Sequence, residues 1–275
     1  METINKNGLR MPKLGLGTWR MTGAVCQAAV EAGLAMGYRH IDTGQMYANE
    51  AEVGAGIAAS GIARGDLHVT TKVWWENLAP DRMRAAMDDS LRMLRTDYVD
   101  LFMIHWPSRE MDLPAAMATL VKLREEGKAR TIGVANFPTA LLRRAVDELR
   151  TPLACCQFEY HATLRQPALL DFMRGHDLPI IAYSPLAKGA LVDDPVLAAI
   201  GRKYDATASQ VAIAWLLEQR DVSTIPKSTR PERLRENMEA LRVRLDDADR
   251  AAIAAMPKDR RVANPPFHPE WDAAG

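Results

Sequence analysis

A chain of 275 residues is close to the size of one α/β barrel, with two smaller domains as the other solution. Its 48% apolar and 25% charged residues exclude an intrinsically disordered chain. The 35 basic and 35 acidic side chains cancel, so no overall field points to nucleic acid or an anionic membrane as a partner. The cysteines, Cys26, Cys155 and Cys156, are odd in number and two are adjacent, which makes a poor disulfide framework and fits a reduced, cytoplasmic setting. The first residues, METINKNGLRMPKLG, lack an apolar signal core, and no stretch is long and apolar enough to span a bilayer.

In chain order, Asn7-Gly8 between short alternating segments predicts a type I′ hairpin turn. Short apolar runs then alternate with longer amphipathic ones. The strand candidates are Lys13–Gly17, Tyr38–Asp42, His68–Val73, Val99–His105, Thr131–Ala135, Ala154–Glu159, Ile180–Ser184 and Thr224–Pro226. Helical patterns lie between them, such as Pro80–Leu94, which opens on Pro-Asp, and Pro114–Glu126, which ends before Gly127. Strand alternating with helix predicts a parallel sheet, because parallel neighbours need crossover connections. Eight such units predict a (β/α)8 TIM barrel with an N-terminal β-hairpin. No linker or charge block divides the chain, so one domain over residues 1–275 is expected. The segment after Met256, rich in Pro and aromatic residues, reads as an ordered C-terminal tail.

A barrel of this kind carries its active site at the C-terminal ends of the strands. Polar residues fall there repeatedly: Asp42, Lys72, His105, Asn136, Gln157, Tyr183-Ser184 and Lys227-Ser228. Singly, each has an ordinary structural explanation; turn chemistry accounts poorly for the recurrence around the ring. The types also cooperate. A phenol has a reference pKa near ~10, and a nearby ammonium favours the phenolate. Lys72 is thus expected to lower the pKa of Tyr47, with Asp42 as its salt-bridged partner and His105 donating a hydrogen bond to a carbonyl oxygen. That is a proton-delivery site without a metal. Alone, Tyr47 reads as a loop aromatic on the barrel rim.

Two candidate nucleotide motifs need separation. Gly54-Ala-Gly56-Ile-Ala-Ala59 has the letters of a dinucleotide fingerprint, but it lies within a helical pattern and follows no strand, so its glycines are assigned to close packing. Lys227, Ser228, Arg230 and Arg233 instead cluster where a strand ends and a helix begins. A solvated basic turn and a phosphate site are both open readings of that cluster.

The segments GYRHIDTGQMYANE, TTKVWWENL, YVDLFMIHWP, GVANF, AYSPL and IPKSTRPERLRENMEAL together resemble the aldo-keto reductase family, in family order and over nearly the whole chain. RTDYVDLFMIHWPS and the terminal PEWD resemble its bacterial branch of 2,5-diketo-gluconate reductases, some of which also reduce methylglyoxal. The resemblance implies reduction of a small-molecule aldehyde or ketone by NADPH in a monomeric enzyme. It implies a tetrad of Asp42, Tyr47, Lys72 and His105, with Tyr47 as general acid. Tyr183 would stack under the nicotinamide, with Thr18 and Asp42 approaching that end of the cofactor. Asn136 and Gln157 would hold the carboxamide, and Ser184 and Leu186 would meet the pyrophosphate. Lys227, Ser228 and Arg233 would hold the 2′-phosphate, Thr229 would also contact the cofactor, and Glu236 and Asn237 would face adenine. Trp19, Trp74 and Trp106 would line the substrate pocket beside Tyr47 and His105. Trp75 reads as rim packing, and Phe267, His268 and Trp271 lie in a tail that commonly covers the pocket.

Departures are also visible. Ala135 stands where the family has Ser, which removes one hydroxyl partner of the carboxamide; Gly44 stands where Ala is common; and Lys188 occupies a pyrophosphate-loop position. Two other classes compete with a reductase: a cofactor-sensing binding protein with little turnover, and an unrelated barrel enzyme, such as a phosphate-ester isomerase using Lys72 or His105.

Overall fold

The computed structural model describes residues 2–272. The chain opens with an antiparallel hairpin of β1 (Thr3–Lys6) and β2 (Leu9–Pro12). Asn7 (φ 52°) and Gly8 (φ 77°) turn the corner, and two successive positive φ values are what a type I′ turn requires. Eight parallel strands follow: β3 (Leu16–Gly17), β4 (His40–Asp42), β5 (His68–Val73), β6 (Val99–Ile104), β7 (Ala129–Ala135), β8 (Cys155–Glu159), β9 (Ile180–Tyr183) and β10 (Val222–Thr224). Each pairs with its sequence neighbour. The ring closes through the main chain: Gly15 N–H donates to Thr224 O at 2.9 Å, Thr224 N–H to Lys13 O at 2.7 Å, and Gly17 N–H to Pro226 O at 3.1 Å. A Cβ on Gly17 would lie 2.7 Å from Ile225 O, so this seam requires glycine there.

The helices between the strands are α1 (Gly23–Ala35), α2 (Glu50–Ala59), α3 (Pro80–Leu94), α4 (Leu113–Glu125), α5 (Thr139–Arg143), α6 (Pro167–Gly175), α7 (Pro195–Gly201), α8 (Ala208–Leu217), α9 (Pro231–Glu239) and α10 (Asp247–Ala255). The expected barrel and hairpin are present, with strand limits that move by a few residues. The last strand shifts to Val222–Thr224 because Pro226 has no N–H to offer a ladder. Gly54 and Gly56 lie inside α2, where a Cβ on Gly54 would sit 2.6 Å from Met93 O. They permit α2 to pack closely on its neighbours.

The two ends of the barrel differ. At the N-terminal end, Ile4, Leu9 and Met11 of the hairpin pack with Leu101, Met103, Cys155 and Ile181 from the strands, plugging the bore. His40 and His68 stand there edge to face, ring centroids 4.8 Å apart, each directing Nδ1 to a hairpin carbonyl: Pro12 O at 3.2 Å and Arg10 O at 3.1 Å. At the other end the strands finish in loops, and the tail after Met256 crosses them without regular helix. Near its end the Asp272 carboxylate accepts from the Thr139 N–H (3.0 Å) and Oγ1–H (2.8 Å) at the start of α5.

Candidate active site

The strand ends deliver their polar residues into one cleft of about 610 Å³. Asp42 closes β4, Lys72 stands one residue before the end of β5, and His105 follows β6. Tyr47 comes from a single 3₁₀ turn, residues 45–47, just after β4. That turn is pinned from behind: buried Asn49 donates to Thr18 O and Met21 O (both 2.9 Å) and accepts from Thr43 Oγ1 (2.8 Å).

Lys72 is fully buried. Its Nζ donates to Asp42 Oδ1 at 2.5 Å, to Thr43 O at 2.6 Å and to Tyr47 Oη at 3.5 Å. Burial pulls this ammonium below its ordinary value, while the Asp42 carboxylate pulls the other way. Asp42 Oδ2 accepts from Gln157 Nε2 at 2.9 Å, so both carboxylate oxygens are engaged. The His105 ring meets Tyr47 edge to face at 5.4 Å and Trp74 at 5.3 Å. Burial, then the Lys72 charge, drives His105 well below the usual histidine range, so the imidazole is neutral. Its Nδ1 is buried without a partner, which leaves Nε2 as the nitrogen open to the cleft.

One expectation is corrected here. Lys72 is expected to lower the Tyr47 pKa, yet the phenol is held well above its ordinary value, first by burial and then by the Asp42 carboxylate. Asp42 neutralises much of the ammonium that would otherwise favour phenolate. Tyr47 therefore keeps its proton, as a donor must.

Further along the cleft, Tyr183 Oη donates to Asn136 Oδ1 (2.7 Å), and Asn136 Nδ2 donates to His105 O (2.9 Å). Asn136 spends one donor and one acceptor position on the protein and retains one of each. Gln157 keeps its carbonyl oxygen. Ala135 is buried beside them and brings no hydroxyl. Thr18, whose hydroxyl donates to Asp42 O (3.0 Å), lines the cleft with Ser184, Leu186, Lys188, Lys227 and Arg233.

The cleft runs on into a second hollow bounded by Ser228, Arg230, Arg233, Glu236 and Asn237 at the start of α9. Among the described residues, Lys227, Arg230 and Arg233 form no ion pair. Three free cations at a helix N-terminus suit a phosphate dianion. An extended dinucleotide fits this shape, with a half-buried Tyr183 ring at one end and the cations at the other. One expected contact differs: Thr229 lines neither hollow. Glu236 bounds the second hollow, and its carboxylate also accepts from Thr207 Oγ1 at 2.6 Å, tying α9 to the N-cap of α8.

Trp19, Trp74 and Trp106 line the outer part of the cleft, where Phe267 of the tail lies 5.4 Å from Trp74 and 5.6 Å from Trp106. Trp75 packs against Phe267 from outside the lining. His268 and Trp271 stack on each other, and Trp271 reaches Trp106 at 5.9 Å. Met46, Val262, Ala263 and Asn264 also line the cleft, and the sequence patterns did not single them out. Nor did they single out Glu159, although it stands two residues after Gln157 on the same face of β8.

The family model described as "Aldo/keto reductase family" matches residues 13–257. Methylglyoxal reductase DkgB of Escherichia coli O157:H7 is 40% identical over 268 residues, covering 96% of this chain and 100% of that protein. Glyoxal reductase of Bacillus subtilis (strain 168) is 39% identical over 261 residues, covering 94% of each chain. A solved structure provisionally described as a 2,5-diketo-D-gluconic acid reductase B superposes with a TM-score of 0.96 at 40% identity, covering 99% of this chain and 98% of that one.

Proposed function

The chain belongs to the aldo/keto reductase family, and from that premise we propose that it reduces small aldehydes or ketones to alcohols with NADPH, Tyr47 supplying the proton. The observation that carries this reading is the fully buried Lys72, shared between Asp42 and the Tyr47 phenol at the inner end of the cleft.

When bound, the nicotinamide supplies a hydride to the carbonyl carbon. Tyr183, Asn136 and Gln157 are assigned to its ring and carboxamide, Thr18, Ser184 and Leu186 to the adjoining ribose and pyrophosphate, and Lys227, Ser228 and Arg233 to the 2′-phosphate. His105 donates Nε2–H to the carbonyl oxygen and sets its direction. As negative charge develops on that oxygen, the Tyr47 Oη–H bond breaks and a new O–H bond completes the alcohol. The resulting phenolate faces the Lys72 ammonium, whose attraction is greater for phenolate than for phenol. That difference favours the transition state over the ground state. Water returns a proton to Tyr47 afterwards. Trp19, Trp74 and Trp106 exclude water around the carbonyl, which strengthens each of these interactions.

Three buried free thiols support a cytoplasmic setting, and among the described residues no helix is long and apolar enough to cross a membrane. We take residues 1–275 as one barrel domain acting as a monomer, which sizing in solution tests. The deciding experiment follows NADPH and NADH oxidation in parallel with methylglyoxal, an aryl aldehyde and 2,5-diketo-gluconate. Tyr47→Phe lowers kcat by about 10²–10⁴-fold, the usual worth of a positioned acid, while NADPH still quenches tryptophan fluorescence. Full turnover by Tyr47→Phe on every substrate overturns the assignment.

A further inference from the structure

Val262, Ala263, Asn264, Pro265 and Phe267 form the outer wall of the cleft, yet no strand or helix holds this part of the tail. Its anchor lies inside the barrel. Glu159, the last residue of β8, is 1% exposed. Its Oε1 accepts from the Val262 N–H at 2.7 Å and faces His161 Nε2 at 2.9 Å, and its Oε2 accepts from the Ala263 N–H at 2.7 Å. His161 is equally buried, with Nδ1 directed to Thr163 Oγ1 at 3.1 Å. Gln166 completes the cage: its Nε2 donates to Glu159 O, and its Oε1 accepts from Arg261 Nη2 at 2.9 Å.

A carboxylate at this depth is costly unless its oxygens are satisfied. Two of its three partners are main-chain donors that only the tail supplies. Lifting the tail would strand the charge, so the charge holds the tail down. Glu159 hydrogen-bonds to none of Asp42, Tyr47, Lys72 or His105, and proton delivery does not use it. From Ala263 the chain is four residues from Phe267, which seals the pocket against Trp74 and Trp106.

We propose that Glu159 is a positioning residue that fixes the tail over the cleft and thereby sets which carbonyl substrates are held well. The proposal rests on the carbonyl-reduction reading for its kinetic arm only.

Glu159→Gln keeps the side chain's size but turns an amide N–H₂ toward groups that are themselves donors. Amide exchange over residues 260–268 of this variant is expected to accelerate about tenfold, a change of one factor of ten in the local opening equilibrium. KM for a bulky aryl aldehyde rises by about the same factor, whereas kcat and the KM for methylglyoxal stay within about twofold. In a Phe267→Ala background the same substitution adds little further to the aryl aldehyde KM, since both act through one contact. Uniform loss of kcat on all substrates with unchanged tail exchange overturns the proposal, as does an undiminished effect in the Phe267→Ala background. Should Glu159→Gln not fold, the unaltered protein decides: the Val262 and Ala263 amides must be protected relative to Asn264 and Phe267, and exchange at free-peptide rates refutes the anchor. Because exchange needs no turnover, absence of any carbonyl reduction would sink the functional reading while leaving the anchor standing or falling separately.

Discussion

Acidification from pH 6.5 to pH 4.5 is expected to destabilise the fold from the bottom of the barrel, and His40 is the group that reads it. Pro12 O is only an acceptor, so the proton of this ring sits on Nδ1, and Nε2 is buried without a partner. A second proton would have to sit on Nε2 with nothing to receive its hydrogen bond, beside a His68 ring 4.8 Å away. Burial accordingly lowers the His40 pKa from 6.5 to about 4. With the folded value depressed, the unfolded chain binds the proton first as pH falls. The stability contribution is complete above pH 6.5, is lost between 6.5 and about 4, and levels off below. Between pH 6.5 and 4.5 the loss from this one group is about 2 kcal/mol. His68 is depressed in the same direction, also by burial first, and adds to the effect. Urea melts at pH 6.5 and 4.5 on the protein and on His40→Leu measure the term as a difference, because carboxylates titrate alike in both. The variant loses less stability across the interval by roughly that amount. Equal losses in the two proteins would refute the argument that His40 is buried neutral.

Three other outcomes follow from the site. Arg233→Met is expected to raise KM for NADPH about tenfold or more, the worth of one charge-assisted contact, and to leave KM for NADH unchanged; a parallel rise for both cofactors would remove Arg233 from the 2′-phosphate. Lys72→Met strands the Asp42 carboxylate, with an expected loss of about 3–5 kcal/mol in urea melts and turnover near that of Tyr47→Phe; wild-type stability would show the pair not to be buried as described. Gly44 has extended backbone (φ 178°, ψ 151°), and a Cβ there would meet Lys72 Cβ at 3.4 Å and His105 Nδ1 at 3.7 Å, ordinary contacts. Gly44→Ala is therefore expected to stabilise by about 0.4–1 kcal/mol through the unfolded chain, and a drop in melting temperature would contradict it.

The strand ends were legible because parallel strands buried on both faces read as apolar runs, and a polar residue at the end of each stands out against them. Asp42, Lys72, His105, Asn136 and Gln157 come together for that reason. Tyr47 carries no such signal. It lies on a loop turn whose position depends on Asn49, a contact network with no periodicity to betray it. The direction of the Tyr47 pKa is not legible in the sequence, because pairing can be inferred from residue types, whereas burial cannot. The tail shows the same limit: Phe267, His268 and Trp271 announce an aromatic cover, but the Glu159 anchor joins residues more than 100 apart through main-chain amides, which carry no residue identity.

The seam at Gly17 bears on how the chain comes to be folded. Lys13 and Gly15 exchange main-chain hydrogen bonds with Thr224, and Gly17 bonds to Pro226, across more than 200 residues of sequence. During synthesis the first strand is made early and its partner late, so β3 waits with an unsatisfied edge while the other strands assemble. Contacts of such high sequence separation form slowly and leave partly built sheets prone to association. A chain halted before Val222 would present two open strand edges and a bore with no eighth wall. The two residues of β3 are thus a short edge to leave exposed, and their brevity protects the unfinished barrel until the last strand arrives.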